Sequence, residues 1–291
     1  MKLKVGIIGC GMITKVRHAP EYAENPNCEI AAFYDHDRKR SEALASQYGA
    51  VCCESADELL AMDLDLVSVC VANAMHAEYT IRALNAGKHV LCEKPMAVTL
   101  EQCEAMEEAA VRTGKTLMIG HNQRFALAHQ EAHRLIREGK IGRVLSFETK
   151  FGHGGPEVWT GTPNTWFFDK KQAHFGAMAD LGIHKTDLIH YLIGEPITSV
   201  RAILTTLDKC YPDGRPIDVD DNAFCLYQTD SGITGIMHVS WTLYGNEKNS
   251  IVVYGTEGVI RCYDDDRYTL ILERKPRPAR RKSNKQKLQP R

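Results

Sequence analysis

The sequence predicts an α/β protein in two parts: a doubly wound parallel sheet of the Rossmann type, then an α+β domain with a large, mostly antiparallel sheet. In residues 1–120, short β-branched runs alternate with helical patterns, which is typical of a parallel sheet. From Ile197 onward, strand patterns follow one another with turns between them, which favours antiparallel pairing. A chain of 291 residues is long enough for two such domains.

Five strands and the helices between them are expected in the first domain, residues 1–120. Three helical segments end at Gly49, Gly87 and Gly114, as helices commonly end at glycine. Thr99 and Gln102 have the spacing of a capping box, so a helix is expected to begin there. The predicted strands are Leu3–Ile8, Glu29–Tyr34, Leu66–Val71, His89–Cys92 and Thr116–Ile119.

The second domain is expected to span 121–273. Helices are predicted near Ala126–Glu138 and Met178–Leu192, with a strand near Arg143–Phe151 between them. The stretches "QTDSGITG" and "YGTEGVI" indicate β-hairpins.

Charge and composition exclude several function classes. The formal net charge is −1, but nine basic residues lie in 274–291, so the rest of the chain is acidic and is not expected to bind nucleic acid. The segment 274–291 lacks hydrophobic periodicity, and a flexible, solvated tail is expected there. No apolar run is long enough to span a membrane, and no signal-peptide pattern is present. Ten cysteines without a C-x-x-C pattern indicate reduced thiols in a cytoplasmic protein.

The stretch "GIIGCGMIT" after the first strand is similar to a dinucleotide-binding loop. Gly9 would make the tight turn, and Gly11 would let the backbone approach a pyrophosphate at the start of the helix, near Met12 and Ile13. Thr14 stands where the pattern has a third small residue. The loop alone leaves a plain βα turn open as an alternative.

Asp35 follows the second predicted strand at the spacing of the acidic residue that binds the adenosine ribose. A carboxylate there would repel a 2′-phosphate. NAD is therefore favoured over NADP as the cofactor, although His36 and Arg38 lie close by.

Further polar residues follow later strands of the same sheet, at the edge where such folds bind ligands. Asn73 and His76 are expected near the nicotinamide. Glu93 and Lys94 precede Pro95 in a predicted turn. A lysine on a helix face is usually only solvated, and this is less expected of a lysine in such a turn.

The stretch "DLGIHKTDL" places Asp180 and His184 four residues apart, on one face of a helix, with Asp187 three residues further. A carboxylate beside a histidine suits proton transfer because it orients the ring and stabilises its protonated form. Two alternatives remain open. His184 could be a buried histidine that is hydrogen-bonded to a nearby acid, or the two residues could be a pair of metal ligands. No metal is expected, because the remaining candidate ligands have no telling spacing: His121, His153 and His174.

The glycine loop, "AGKHVLCEKP", "GHNQRF" and "DLGIHKTDL", in this order, resemble the glucose–fructose oxidoreductase / inositol dehydrogenase / MocA family. The resemblance implies a Rossmann domain, a second domain whose sheet often forms a dimer or tetramer interface, and action on sugars, cyclitols or related polyols. It implies that Lys94 is the catalytic lysine, that Asp180 and His184 are the catalytic acid–histidine pair, and that the bond before Pro95 is cis. The sequence departs from the family pattern at Thr14, at Val71-Ala72 where "TP" is usual, and in its shorter length with a basic end.

The resulting hypothesis is a hydride transfer between nicotinamide and a secondary alcohol of a sugar, cyclitol or polyol. A homodimer or homotetramer is the expected assembly. An NAD-dependent glycosidase with transient oxidation and a non-catalytic NAD-binding regulatory protein are the alternatives. Besides Lys94, Asp180 and His184, the substrate-binding candidates are Arg124, His153, Trp166, Trp241 and Tyr244.

Overall fold

The computed structural model describes residues 2–276 and the strand Lys285–Lys287. The chain divides into two compact units. The first comprises residues 1–120 together with 171–174, a segment that the sequence assigned to the second domain. The second comprises 121–170 and 175–291.

A parallel sheet in the order β3-β2-β1-β4-β5-β6 forms the first unit, which is the strand order of a Rossmann fold. The predicted strands are confirmed to within two residues at their ends, but β3, with two residues, is too short to leave a hydrophobic pattern. The strands are β1 (Leu3–Ile8), β2 (Cys28–Tyr34), β3 (Val51–Cys52), β4 (Leu66–Val69), β5 (His89–Cys92) and β6 (Leu117–Ile119).

Helices cover both faces of this sheet, because side chains of a strand alternate between its faces. Val5 and Ile7 of β1 belong to one hydrophobic cluster with Leu44, and Ile8 belongs to a second cluster with Leu84 and Met106. The helices are α1 (Ala19–Glu24), α2 (Arg38–Tyr48), α3 (Ala56–Ala61), α4 (His76–Asn85) and α5 (Leu100–Thr113).

The helix ends follow the sequence signals. Gly49 and Gly114 cap α2 and α5 with φ of 67° and 65°, and Gly87 has a φ of 76° just after α4. The Thr99 hydroxyl accepts from the Gln102 N–H at 3.3 Å, as predicted. The Gln102 side chain, however, accepts from the N–H of residue 98 rather than from that of Thr99, so the capping box is shifted by one residue.

Among the described residues, the second unit contains an eight-stranded sheet in the order β14-β13-β12-β11-β7-β10-β9-β8, with α6 and α9 packed against it. Neighbouring strands are antiparallel except β7 and β10, which are parallel. The strands are β7 (Val144–Gly152), β8 (Ser199–Thr205), β9 (Asn222–Gln228), β10 (Thr234–Ser240), β11 (Lys248–Gly255), β12 (Gly258–Cys262), β13 (Leu270–Arg274) and β14 (Lys285–Lys287). The helices of this unit are α6 (Leu127–Arg137), α7 (Pro156–Thr160) and α9 (Ile183–Ile193). The short helix α8 (Lys170–Ala173) begins at the last residue of the segment 121–170, and its residues 171–173 belong to the first unit.

Both predicted hairpins are confirmed, since β9 pairs with β10 and β11 with β12. Within the segment predicted to be a flexible tail, Arg274 ends β13 and Lys285–Lys287 pairs with that strand as β14. The tail prediction for 277–284 and 288–291 lies outside the described residues.

Candidate functional site

The predicted cofactor residues lie at the carboxyl edge of the parallel sheet. Gly9 follows β1, Asp35 follows β2, Asn73 comes shortly after β4, and Glu93 and Lys94 follow β5. Strand order reverses between β1 and β4, and ligands of open α/β sheets bind outside the carboxyl ends of the strands at such a point. The first unit therefore brings the cofactor-binding candidates to one edge.

Gly9 and Gly11 meet different requirements in the loop. Gly9 has a φ of +96°, and a Cβ there would lie 2.4 Å from the carbonyl oxygen of Cys70, so no larger side chain fits. A Cβ on Gly11 would meet nothing within 4 Å. Gly11, Met12 and Ile13 are partly exposed at the start of the following helical turn. The space next to Gly11 suits a group that approaches the backbone closely, as a pyrophosphate does.

Thr14 occupies the place of the third small residue without leaving a polar group unpaired. Its side chain is fully buried, and its hydroxyl donates to the carbonyl oxygen of Gly9 at 2.6 Å. The expected packing cost at Thr14 is therefore accompanied by a hydrogen bond that closes the glycine loop onto the first helical turn, Thr14–His18.

Asp35 is tied to the same loop. One carboxylate oxygen accepts from the backbone N–H of Cys10 at 2.6 Å, and the other accepts from the N–H of Asp37 at 2.8 Å. The His36 ring nitrogen lies 3.2 Å from the carboxylate. The oxygen bonded to Cys10 keeps a further lone pair, so Asp35 can still accept from a ribose hydroxyl. The residues present fit a dinucleotide cofactor.

Asn73 and His76, which are expected near the nicotinamide, are buried and lie within hydrogen-bond distance of backbone carbonyl groups. Asn73 donates its amide N–H to the carbonyl oxygen of Ala173 at 3.1 Å. The His76 ring nitrogens lie 2.6 Å from the carbonyl oxygen of Pro95 and 3.1 Å from that of Val71. Both side chains hold backbone segments in place.

The turn after β5 contains Lys94, which is partly exposed and precedes a cis peptide bond to Pro95, as the resemblance implied. The Glu93 carboxylate accepts from the N–H of Lys94 at 3.1 Å and lies 2.9 Å from the His18 ring nitrogen Nε2. Glu93 therefore supports the turn from within.

In the second unit, Asp180 lies in a π-helical turn, Met178–Gly182, which runs directly into α9. Helix geometry over these residues thus differs from the regular α-helix assumed from the sequence, and such π turns are frequent at functional sites. Asp180 is buried, and its carboxylate accepts from the indole N–H of Trp241 at 3.2 Å.

His184 is partly exposed in the first turn of α9, with its ring centroid 6.1 Å from that of Phe151. Asp187, which the sequence placed beside His184, is bound elsewhere. Arg124 donates two hydrogen bonds to its carboxylate, at 2.5 and 2.7 Å, and the His121 ring lies 3.7 Å away.

These contacts involve two of the predicted substrate-binding residues. Arg124 donates to Asp187 through Nε and one terminal nitrogen while its side chain stays 42% exposed, and Trp241 has no exposed surface. Trp241 instead supports Asp180 from within the core.

The other three candidates lie at or near the surface of the second unit. Trp166 stacks on Phe167 with centroids 4.0 Å apart, and Tyr244 is 62% exposed with its hydroxyl bonded to Asp208. The His153 ring accepts from the N–H of residue 155 at 3.0 Å.

Two family models match the chain. One, described as "Oxidoreductase family, NAD-binding Rossmann fold" of the GFO/IDH/MocA proteins, matches residues 3–121, and the GFO/IDH/MocA C-terminal domain matches residues 129–261. The chain belongs to the GFO/IDH/MocA family. Its first unit is therefore an NAD-binding Rossmann domain.

Among relatives of this GFO/IDH/MocA protein, D-glucoside 3-dehydrogenase of Escherichia coli is 35% identical over 69% of this chain and 57% of its own length. Levoglucosan dehydrogenase of Pseudarthrobacter phenanthrenivorans is 33% identical over 68% of this chain and 55% of its own length. The chain thus spans less than two thirds of these relatives. A solved structure of levoglucosan dehydrogenase in complex with NADH superposes with a TM-score of 0.87, at 28% identity, over 99% of this chain and 80% of that one.

Two residues of this GFO/IDH/MocA chain that bear on the site were missed from the sequence. His18 lies four residues after Thr14 on the turn that follows the glycine loop, a spacing that could have indicated its inward direction. Lys185, next to His184, is fully buried, and its ammonium donates to the Asn249 side chain. Nothing in the local pattern distinguishes Lys185 from an exposed helical lysine.

Proposed function

We propose that this protein is an NAD-dependent oxidoreductase that transfers a hydride between nicotinamide and a secondary alcohol of a sugar, cyclitol or related polyol. One observation carries the proposal: the glycine loop, bonded to Asp35, shares the carboxyl edge of the sheet with Lys94. The cofactor loop and a lysine suited to bind an alcohol oxygen therefore belong to one unit. The names of the relatives, both sugar dehydrogenases, support the substrate class.

The proposed reaction uses the three side chains that the resemblance singled out, Lys94, Asp180 and His184. His184 takes the hydroxyl proton of the substrate, and Asp180 orients the ring and stabilises its charge. Lys94 donates to the same oxygen and favours the developing alkoxide. Bound NAD supplies the hydride acceptor. In the reducing direction, His184 acts as the acid.

Asp35 favours NAD over NADP in this proposal. Its carboxylate is held in place by Cys10 and Asp37, so it cannot turn away from a 2′-phosphate without losing two hydrogen bonds. Comparison of the affinities for the two cofactors tests the preference. Tighter binding of NADP would contradict it.

Among the predicted pocket residues, Trp166 and Tyr244 offer partly exposed aromatic faces to a sugar ring. His153 and Arg124 are partly exposed as well and stay in the proposed pocket.

A homodimer or homotetramer through the second sheet is the proposed assembly. The face of this sheet away from α6 and α9 exposes apolar side chains that would be expected to be covered in an assembly. A concave part of this face, with a volume of about 650 Å³, is lined by several of them. They include Ile203, Phe224, Leu226 and Ile236.

A cytoplasmic location remains part of the proposal. All ten cysteines carry free thiols, which is typical of reducing compartments. No helix within the described residues is long and apolar enough to span a membrane.

Turnover assays test the proposed activity. The protein is incubated with NAD and a panel of sugars, inositols and sugar acids, and NADH formation is followed by its near-ultraviolet absorbance. Reduction of NAD is expected with at least one polyol, and no signal with any compound in either direction would contradict the proposal.

Variants locate the chemistry. Lys94→Ala and His184→Ala are expected to abolish turnover while NAD still binds to the Lys94→Ala protein, whereas Lys140→Ala, at an exposed lysine of the second unit, should leave turnover unchanged. Turnover that survives in the Lys94→Ala, His184→Ala double variant would contradict the catalytic roles proposed for these two residues. Glycoside cleavage without net NADH would support the glycosidase alternative, and NAD binding without turnover the regulatory one.

A further inference from the structure

The turn that contains Lys94 is supported through the Glu93 carboxylate. One carboxylate oxygen accepts from the backbone N–H of Lys94 at 3.1 Å, and the other lies 2.9 Å from Nε2 of His18. A Cβ on Gly120, at the end of β6, would lie 3.4 Å from the same carboxylate. The carboxylate is thus enclosed, and it links His18 directly to the backbone of Lys94.

His18 is itself held at both ring nitrogens. Nδ1 lies 2.8 Å from the Ser68 hydroxyl on β4. The ring centroid of Tyr22, on α1, lies 6.3 Å from that of His18. Burial alone would lower the pKa of His18, but Cys70 and Glu93 raise it to about 10. Burial likewise raises the pKa of Glu93, yet His18 and Lys94 bring it below its ordinary value. The buried His18 ring and the Glu93 carboxylate thus lie within hydrogen-bond distance, and each favours the charged form of the other.

On the other side of Lys94, His76 holds the carbonyl oxygen of Pro95. The two His76 ring nitrogens face two carbonyl oxygens, at 2.6 Å and 3.1 Å, and carbonyls only accept hydrogen bonds. Burial lowers the pKa of His76, so the ring is neutral and carries one proton. We assign that proton to Nδ1, the nitrogen at the shorter distance, so that it donates to the Pro95 carbonyl.

We propose that His18 and His76 are positioning residues for Lys94, which act through the Glu93 carboxylate before it and the Pro95 carbonyl after it. The inference rests on the proposed role of Lys94 in hydride transfer. Neither histidine takes part in the chemistry. Together they fix the backbone on both sides of Lys94, so that its ammonium is presented in one direction.

Loss of a positioning residue is expected to lower kcat more than it changes binding, because a displacement of about 1 Å can cost about 100-fold in rate. His18→Leu removes the donor to Glu93, whereas His18→Gln keeps an amide N–H at the place of Nε2. His76→Leu and His76→Asn form the matching pair, since the Asn amide can take the place of Nδ1.

A signal from Lys94 itself separates this inference from the proposed function. Lysines of the whole protein are reductively methylated with a ¹³C label, and the Lys94 signal is identified by its absence in Lys94→Arg. In His18→Leu and His76→Leu the Lys94 signal is expected to shift or broaden, with kcat reduced about 10- to 100-fold and NAD affinity changed less than about 3-fold. His18→Gln and His76→Asn should restore part of the kcat and part of the original Lys94 signal.

An unchanged Lys94 signal and kcat in folded His18→Leu and His76→Leu would overturn the inference. Circular dichroism establishes folding, and Glu93→Gln serves if either leucine variant does not fold. It keeps the shape of the side chain but offers one acceptor in place of two, and the same shift is expected. Turnover in Lys94→Ala, by contrast, would end the proposed function and leave the signal test unaffected.

Discussion

The indole N–H of Trp241 donates to the carboxylate of Asp180 at 3.2 Å, and both side chains are buried in the second unit. Trp241→Phe removes this donor while it keeps an aromatic ring. Because a buried acceptor that loses its partner is costly, we expect a loss of about 1–3 kcal/mol in the free energy of unfolding, measured in urea. Since Asp180 is then less well held, kcat should fall more than KM rises.

The matched control is Trp159→Phe, since that ring is 42% exposed and packs edge-on against Phe167. Equal losses of kcat in the two variants would contradict a specific role of Trp241.

The two loop glycines are expected to respond differently to the same substitution. Gly9→Ala places a Cβ 2.4 Å from the carbonyl oxygen of Cys70 at a positive φ, so it should destabilise the protein by about 1–3 kcal/mol or more. Gly11→Ala meets no atom within 4 Å and should leave the unfolding temperature unchanged, but it should weaken NAD binding in calorimetry. Normal NAD affinity in Gly11→Ala would argue against pyrophosphate binding at this backbone.

Thr14 is expected to stabilise the loop through its hydroxyl. Thr14→Val keeps the shape of the side chain but leaves the Gly9 carbonyl without this donor, so we expect a loss of about 1 kcal/mol and weaker NAD binding. Thr14→Ser keeps the hydroxyl and should retain most of both. Thermal unfolding and calorimetry measure the two effects, and indistinguishable Val and Ser variants would show that the hydrogen bond contributes nothing.

Lys185 should make stability depend on pH. Burial lowers its pKa from 10.5 to about 7, so between these values the unfolded chain binds more protons and stability rises with pH. Below pH 7 the full cost of the buried charge is present. Asn249→Ala is compared with the double variant Lys185→Met, Asn249→Ala, because the single lysine variant would leave the Asn249 oxygen without its donor.

The double variant should be more stable by about 1–4 kcal/mol in mildly acidic solution. This difference should shrink as the pH rises towards 10.5. Urea unfolding at several pH values measures it, and a difference that does not vary with pH would contradict a buried, titrating lysine.

The alternation of strands and helices in the first domain could be predicted from the sequence because hydrophobic periodicity and helix caps are local properties of the chain. Both hairpins of the second domain could be predicted for the same reason, since turn residues act over a few positions. The two-residue strand β3 and the π-helical turn at Asp180 were not, because they depend on pairing and packing with distant residues.

The sequence by itself determined the Rossmann sheet, the glycine loop and the acid that follows the second strand, because each is set by residue types at short, regular spacing. Only the tertiary structure decided which distant side chains bind one another. It commits Trp241 to Asp180 and Arg124 to Asp187 across separations of 61 and 63 residues, and it encloses His18 with Glu93 across 75. Such bonds form only when folding brings distant segments together and removes their polar groups from water. For this reason no local sequence pattern predicts them.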